Sequence, residues 1–233
     1  MAEKITYLKR KQWDESFEEP AVPEWVTRPL LVVPVILVLN IAIFLGWTLF
    51  TGTEANERFF VENFLVSNAH LRAGYYWTVL TSVFSHNMAF HLLFNMMVLL
   101  SFGSWLERFL GKGRFLILYL GAGMFSSLMH CVTTWLLIAR GDVPALGASG
   151  ALAALLLVFA AIWPREKIVL FGLIPLPAAV GVGAFVVLDL WGLFAQSQGG
   201  GLPIGHGAHL GGTLFGAVYY FTRIRPRLKR LRT

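Results

Sequence analysis

A serine, two histidines and an asparagine define the chemistry open to this chain. Ser149 stands in Gly147-Ala148-Ser149-Gly150, at the head of an apolar run from Ala151 to Trp163. His209 heads a second apolar run that begins Ala208-His209-Leu210-Gly211-Gly212. A hydroxyl and an imidazole at the tops of two membrane-embedded helices suit a nucleophile and its base. Gly147 and Gly150 leave room for a substrate backbone beside the hydroxyl. The free N–H groups of the helix start point at the same place and could bind an oxyanion. His91 and Asn95, four residues apart, fall on one face of a helix. Polar side chains inside a bilayer are costly unless used, and this pair could donate hydrogen bonds to the same oxyanion.

Those groups need a scaffold, and composition says what kind. The chain has 233 residues, 56% hydrophobic and 14% charged, with a mean hydropathy of +0.64. Soluble domains carry roughly 25% charge, so this is a membrane protein of one domain. A crossing helix needs about 20 apolar residues. Candidate spans fall near 29–50, 88–107, 115–138, 149–163, 177–195 and 204–222. The expected fold is an all-α bundle of six transmembrane helices. Residues 1–28 form a polar segment, 29–222 the membrane domain and 223–233 a basic tail. The first segment is too long and too acidic for the start of a cleaved signal peptide, so the first span is expected to be retained. The connection 51–87 carries Phe59, Phe60, Phe64, Tyr75, Tyr76 and Trp77 among polar residues. It reads as an interfacial loop with its rings at headgroup depth.

Orientation follows from the basic residues. Of the 19 lysines and arginines, all but Arg58, Arg72 and Arg140 fall on segments at one side of a six-span arrangement. This bias predicts cytoplasmic termini. It accounts for the net charge of +6 without a nucleic-acid partner; the C-terminal cluster reads as a topology signal, with a grip on the anionic heads of the lipid bilayer as the alternative.

The fourth span is short. From Ser149 to Trp163 it covers roughly 22 Å at about 1.5 Å per residue, against a hydrocarbon core of about 30 Å. With Pro164-Arg165-Glu166-Lys167 at the inner face, Ser149 lies below the outer surface. It must then meet water in a cavity walled by other helices. Ala208, Gly212 and Gly216 form a small-residue ridge on the His209 helix, which allows the fourth span, with Gly150, Ala151, Ala153 and Ala154, to approach closely.

Taken together, these motifs resemble the rhomboid family of intramembrane serine proteases. His91 and Asn95 match the family's HxxxN, Gly147 to Gly150 its GxSG, and Ala208, His209, Gly212 and Gly216 its AHxxGxxxG. Gly103, Glu107 and Gly111 match a GxxxExxxG pattern. The resemblance covers about residues 29–222. It implies Ser149 as nucleophile, His209 as general base, and His91, Asn95 and the Ser149 N–H as oxyanion donors. It implies no cofactor, and substrates that are single-span or multi-span membrane proteins, entering laterally near the second and fifth spans. A bacterial cytoplasmic membrane is the expected location. The alternative is a non-catalytic rhomboid-like binder of membrane helices, although such relatives generally lack the serine or the histidine.

Some residues depart from the pattern. Thr78 follows Trp77 where many members have arginine, and Ala153 stands where many have an aromatic ring packing the histidine. Another residue must then hold that ring, or it is held less firmly. Asp189 is expected to be a hydrogen-bonded structural acid rather than the third member of a triad. His86 and His206 lie near the proposed site. Together with His91 and His209 they could hold zinc, which histidines favour, but no acidic or thiol ligand accompanies them, so no metal is expected. His70 and His130 read as interfacial or packing histidines, Cys131 as a small buried hydrophobe, and Pro175 and Pro177 as the start of the fifth span.

Overall fold

The computed structural model describes residues 23–138, 142–170 and 174–230; expectations about residues 1–22, Arg140 and residues 231–233 lie outside the described residues. A 3-10 turn at Glu24–Thr27 leads into α1 (Val32–Phe50). Three short helices follow: α2 (Glu54–Phe64), α3 (Asn68–Arg72) and α4 (Thr78–Thr81). Next, α5 (Ala89–Val98) continues through a π-helical stretch, Leu99–Gly103, into α6 (Ser104–Leu110), and α7 (Lys112–Leu137) returns. The last elements are α8 (Ser149–Ile162), strands β1 (Lys167–Leu170) and β2 (Ile174–Pro177), α9 (Ala178–Ser197) and α10 (His206–Tyr219). A π-helical stretch, Tyr220–Ile224, joins α10 to α11 (Arg225–Arg230).

Among the described residues, four helical segments are long and apolar enough to cross a membrane: Glu24–Phe50, Ala89–Leu110, Lys112–Leu137 and Ala178–Ser197. The remaining two expected spans correspond to α8 and α10, each of 14 residues. The all-α bundle expected from the sequence is therefore present. To it is added the antiparallel pair of β1 and β2, with Lys167 opposite Pro177 and Leu170 opposite Ile174. Ile168 and Val169, both β-branched, favour the extended form. Ile168 also fits the notch left by Gly181 on α9, where a Cβ would stand 2.6 Å from its Cδ1. Pro177 immediately precedes α9, as its position in the sequence predicts.

The bundle is apolar outside and holds its polar groups inside. Large apolar side chains such as Val38, Leu49, Val187, Leu188 and Trp191 face outward, as a lipid environment requires. Inside lie His86, Asn95, Glu107, Ser126, Ser127, His130, Asp189 and His206. Buried Glu107 caps α1 from a different helix. Its Oε1 accepts from the N–H groups of Leu31 (2.7 Å) and Val32 (2.9 Å), and its Oε2 from that of Val33 (2.8 Å). These are donors a helix start cannot satisfy itself, and a carboxylate also suits the positive end of the helix dipole.

Part of the 51–87 connection is pinned rather than loose. The Phe60 ring occupies the notch at Gly46, where a Cβ would lie 2.7 Å from its Cζ, and its centroid is 5.1 Å from that of Trp47. Val66 pairs with Ala145 through two backbone bonds of 2.9 and 2.8 Å. That pairing ties the connection to the stretch just ahead of Ser149.

Candidate active site

Ser149 is the first residue of α8. The chain enters through Gly147 at φ +120°, a conformation side-chain-bearing residues rarely adopt. A Cβ there would also stand 2.6 Å from His91 Cε1. Gly147 N–H donates to the Ser82 carbonyl at 2.8 Å, which fixes the turn. Leu152 N–H donates back to the Ala148 carbonyl at 3.0 Å. The N–H groups ahead of Leu152 are thus those a helix start leaves free.

Glycine decides how His209 reaches the serine. α10 packs against both α7 and α8, and it presents a separate pair of its own glycines to each. On the α7 side a Cβ on Gly207 would overlap Thr133, and one on Gly211 would lie 2.5 Å from Met129 Cβ. On the α8 side a Cβ on Gly212 would overlap the Gly150 carbonyl oxygen, and one on Gly216 would lie 2.8 Å from the Ala154 carbonyl oxygen. Backbones this close need small residues. The result is a distance of 2.9 Å between His209 Nε2 and Ser149 Oγ.

The other side of the His209 ring faces α9, where Asp189 is buried and hydrogen-bonded as expected, but to the histidines of the site. Asp189 Oδ1 lies 3.0 Å from His209 Nδ1 and 2.7 Å from His206 Nδ1. All three side chains are nearly buried, at 5, 12 and 9% exposure. Phe185, one turn before Asp189, packs against the His209 ring in a tilted arrangement with centroids 5.4 Å apart and planes at 33°. It takes over the packing that Ala153, which is buried and small, cannot provide.

His91 and Asn95 share one face of α5, and both line the cavity into which Ser149 and His209 open, a space of about 850 Å³ that Phe185 and His206 also line. Asn95 has a partner the sequence did not suggest: its Nδ2 lies 2.7 Å from His86 Nε2. The His86 and His91 rings meet edge to face, with centroids 4.9 Å apart. His86 belongs to the connection before α5. Burial, and secondarily the neighbouring His91, lowers its pKa to about 3, so it stays neutral and accepts from the Asn95 amide.

Several other residues fall elsewhere. His130 Nε2 meets the Val143 carbonyl at 2.8 Å, and His70 Nδ1 meets Ser67 Oγ at 3.2 Å. Thr78 donates to the Tyr75 carbonyl at 2.6 Å and Trp77 Nε1 to Asn63 Oδ1 at 3.0 Å, so both are used within the interfacial segment. Cys131 is buried and free. The four histidines considered for a metal divide into two pairs, His86 with His91 and His206 with His209. Asp189, His206 and His209 bring their ligand atoms within 4.8 Å of one another. Both imidazoles meet one carboxylate oxygen at 2.7 and 3.0 Å, which is hydrogen-bond geometry.

Comparison with known proteins converges on one description. A family model described as "Rhomboid domain" matches residues 73–226. The chain is 32% identical over 200 residues to "Rhomboid protein 1, mitochondrial" of Saccharomyces cerevisiae, covering 86% of this chain and 55% of that protein. It is 36% identical over 187 residues to "Presenilin-associated rhomboid-like protein A, mitochondrial" of Danio rerio, covering 79% and 45%. With "RHOMBOID-like protein 12, mitochondrial" of Arabidopsis thaliana it shares 30% over 203 residues, covering 82% and 57%. The chain thus spans about half the length of the relatives it matches. All three bear mitochondrial names, which runs against the bacterial cytoplasmic membrane expected from the sequence; the multi-pass membrane character stands.

Proposed function

The chain belongs to the rhomboid family, and on that premise we propose that it is a serine endopeptidase that cleaves membrane proteins in or beside their transmembrane segments. The observation that carries the proposal is the 2.9 Å approach of His209 Nε2 to Ser149 Oγ at the wall of a cavity inside an apolar bundle. A hydroxyl is a weak nucleophile until a base takes its proton, and an imidazole at this distance can do so.

In this reading His209 accepts the Ser149 proton as Oγ attacks the substrate carbonyl. The tetrahedral oxyanion is held by the free N–H groups at the start of α8, by Asn95 and by His91. Collapse breaks the C–N bond; His209 returns the proton to the leaving amine, and an acyl ester on Ser149 remains. Water, deprotonated by His209, then hydrolyses the ester and regenerates the serine. A helical segment hides its carbonyls in its own hydrogen bonds, so substrates need small or helix-breaking residues at the cleaved bond. The distribution of Lys and Arg further supports placing the segments before α1 and after α10 on the same, inner side of the membrane.

The test is incubation of purified protein with a generic single-span substrate, beside Ser149→Ala. Cleavage by the wild type and none by the variant is the expected result. Cleavage by both would remove the serine mechanism.

A further inference from the structure

Asp189 interrupts an otherwise apolar stretch of α9, and three residues of that helix converge on the two histidines. Phe185, Asp189 and Gly192 recur at spacings of four and three, so they share one face. Phe185 covers the His209 ring. Asp189 meets both imidazoles. Gly192 makes room for the second ring, since a Cβ there would overlap His206.

With Asp189 as a carboxylate, the hydrogen-bond geometry points to which nitrogen carries each proton. An ionised carboxylate only accepts. Both nitrogens facing Asp189 Oδ1 are Nδ1, so both must be N–H donors. For His209 this leaves Nε2 unprotonated, with its lone pair toward Ser149 Oγ. That is the tautomer a general base needs; the opposite tautomer would present an N–H to the hydroxyl. The carboxylate has a second task. As His209 takes the serine proton it becomes an imidazolium, and a negative charge 3.0 Å away favours that form. No proton passes to Asp189.

His206 explains how the carboxylate can be kept there. A buried carboxylate with too few donors is costly. Asp189 Oδ2 has no hydrogen-bond partner among the described residues. His206 supplies a second N–H to Oδ1, and at 2.7 Å it is the shorter of the two bonds. It lies one turn before His209 on α10, so one helix brings both donors to one oxygen.

We propose that Asp189 is a positioning residue that fixes the tautomer and orientation of His209, and that His206 anchors Asp189, making the site a Ser–His–Asp arrangement with a supporting second histidine. This rests on the serine-protease reading above. Asp189→Asn should lower kcat by roughly 10²–10⁴-fold with KM little changed, as loss of the orienting carboxylate does in soluble serine proteases. His206→Asn should act in the same direction but less strongly.

The deciding measurement needs no substitution at the aspartate. Nitrogen-15 NMR of histidine-labelled protein in detergent, with His209 assigned from the His209→Ala spectrum, reads the tautomer directly. The expected signature is a protonated Nδ1 and an unprotonated Nε2, with mixed or reversed tautomers in a folded Asp189→Asn protein. A wild-type His209 protonated at Nε2 overturns the proposal, even if Asp189→Asn fails to fold. So does Asp189→Asn turnover at the wild-type kcat, or a rise in KM alone. If Ser149→Ala abolishes cleavage while Asp189→Asn does not reduce it, only this inference fails; if Ser149→Ala still cleaves, the protease reading fails first.

Discussion

Gly212 and Gly150 meet backbone to backbone, so closely that a Cβ on Gly212 would overlap the Gly150 carbonyl oxygen. A carbonyl of α8 cannot rotate away as a side chain could. Even Gly212→Ala must therefore push α10 off α8. Overpacking of this kind costs about 1–3 kcal/mol, and a displacement near 1 Å at the His209–Ser149 contact would lower the rate about 100-fold. Cleavage and thermal stability in detergent should both fall. Leu210→Ile, a swap that keeps the volume, should change neither much. A Gly212→Leu protein with normal stability and turnover would contradict this packing.

Ser149 and His209 should behave as one unit. Ser149→Ala and His209→Ala are each expected to abolish cleavage, and the double variant to be no worse than either. Chelation with EDTA should leave wild-type activity intact. Activity lost to EDTA and restored by zinc would instead assign Asp189, His206 and His209 to a metal.

Asn95 should be the oxyanion donor most sensitive to its support. Asn95→Ala is expected to lower kcat by roughly 10–1000-fold. His86→Ala leaves the amide in place but frees it to turn, so its loss should be smaller. Both variants should still be labelled at Ser149 by a fluorophosphonate, more slowly than the wild type, because the backbone donors remain. Wild-type cleavage rates in both would remove Asn95 from the mechanism.

Phe185 should be replaceable from another helix. Phe185→Ala is expected to reduce kcat by loosening the His209 ring, with little effect on KM. Ala153 also lines the cavity, at the position where the sequence pattern would place an aromatic. Adding Ala153→Phe to Phe185→Ala should recover part of the activity, while Ala153→Phe alone crowds the ring and lowers it. The four kcat values form a double-mutant cycle, and a coupling of zero would show that the two positions do not serve the same ring.

Glu107 predicts a change in stability separate from chemistry. Glu107→Ala leaves three N–H groups of α1 without their acceptor. Each unsatisfied buried group costs about 1–3 kcal/mol. A marked drop in Tm should be accompanied by near-normal turnover at temperatures where the protein remains folded. An unchanged Tm would mean that another group takes over the cap.

How much of this could be read from the chain depends on whether a residue's neighbours lie on its own helix. His91 and Asn95 are legible because helical periodicity alone puts them on one face. Ser149, Gly212 and Gly216 are legible because small residues at fixed spacing point to close backbones. Phe185 and Asp189 have an equally good spacing. Their meaning depends on how α9 is rotated against α10, and the glycine-rich connection after Gln198 gives no sign of that. His86 lies outside any helix, so no period indicates where its ring points. The β1–β2 pair is hidden for a related reason: four-residue strands carry too little pattern to stand out beside spans of 14 to 26 residues.

α9 keeps few side chains inside the protein. Ala178, Val182, Asp189 and Gly192 are its buried residues, while Val187, Leu188, Trp191 and Phe194 face outward. Two of the four buried positions serve the histidine pair. The docking of α9 and the alignment of His209 are therefore coupled, and by reciprocity each affects the other. A ligand that immobilises His209 should therefore clamp a helix it never touches, and slow hydrogen exchange along residues 185–192 would report it.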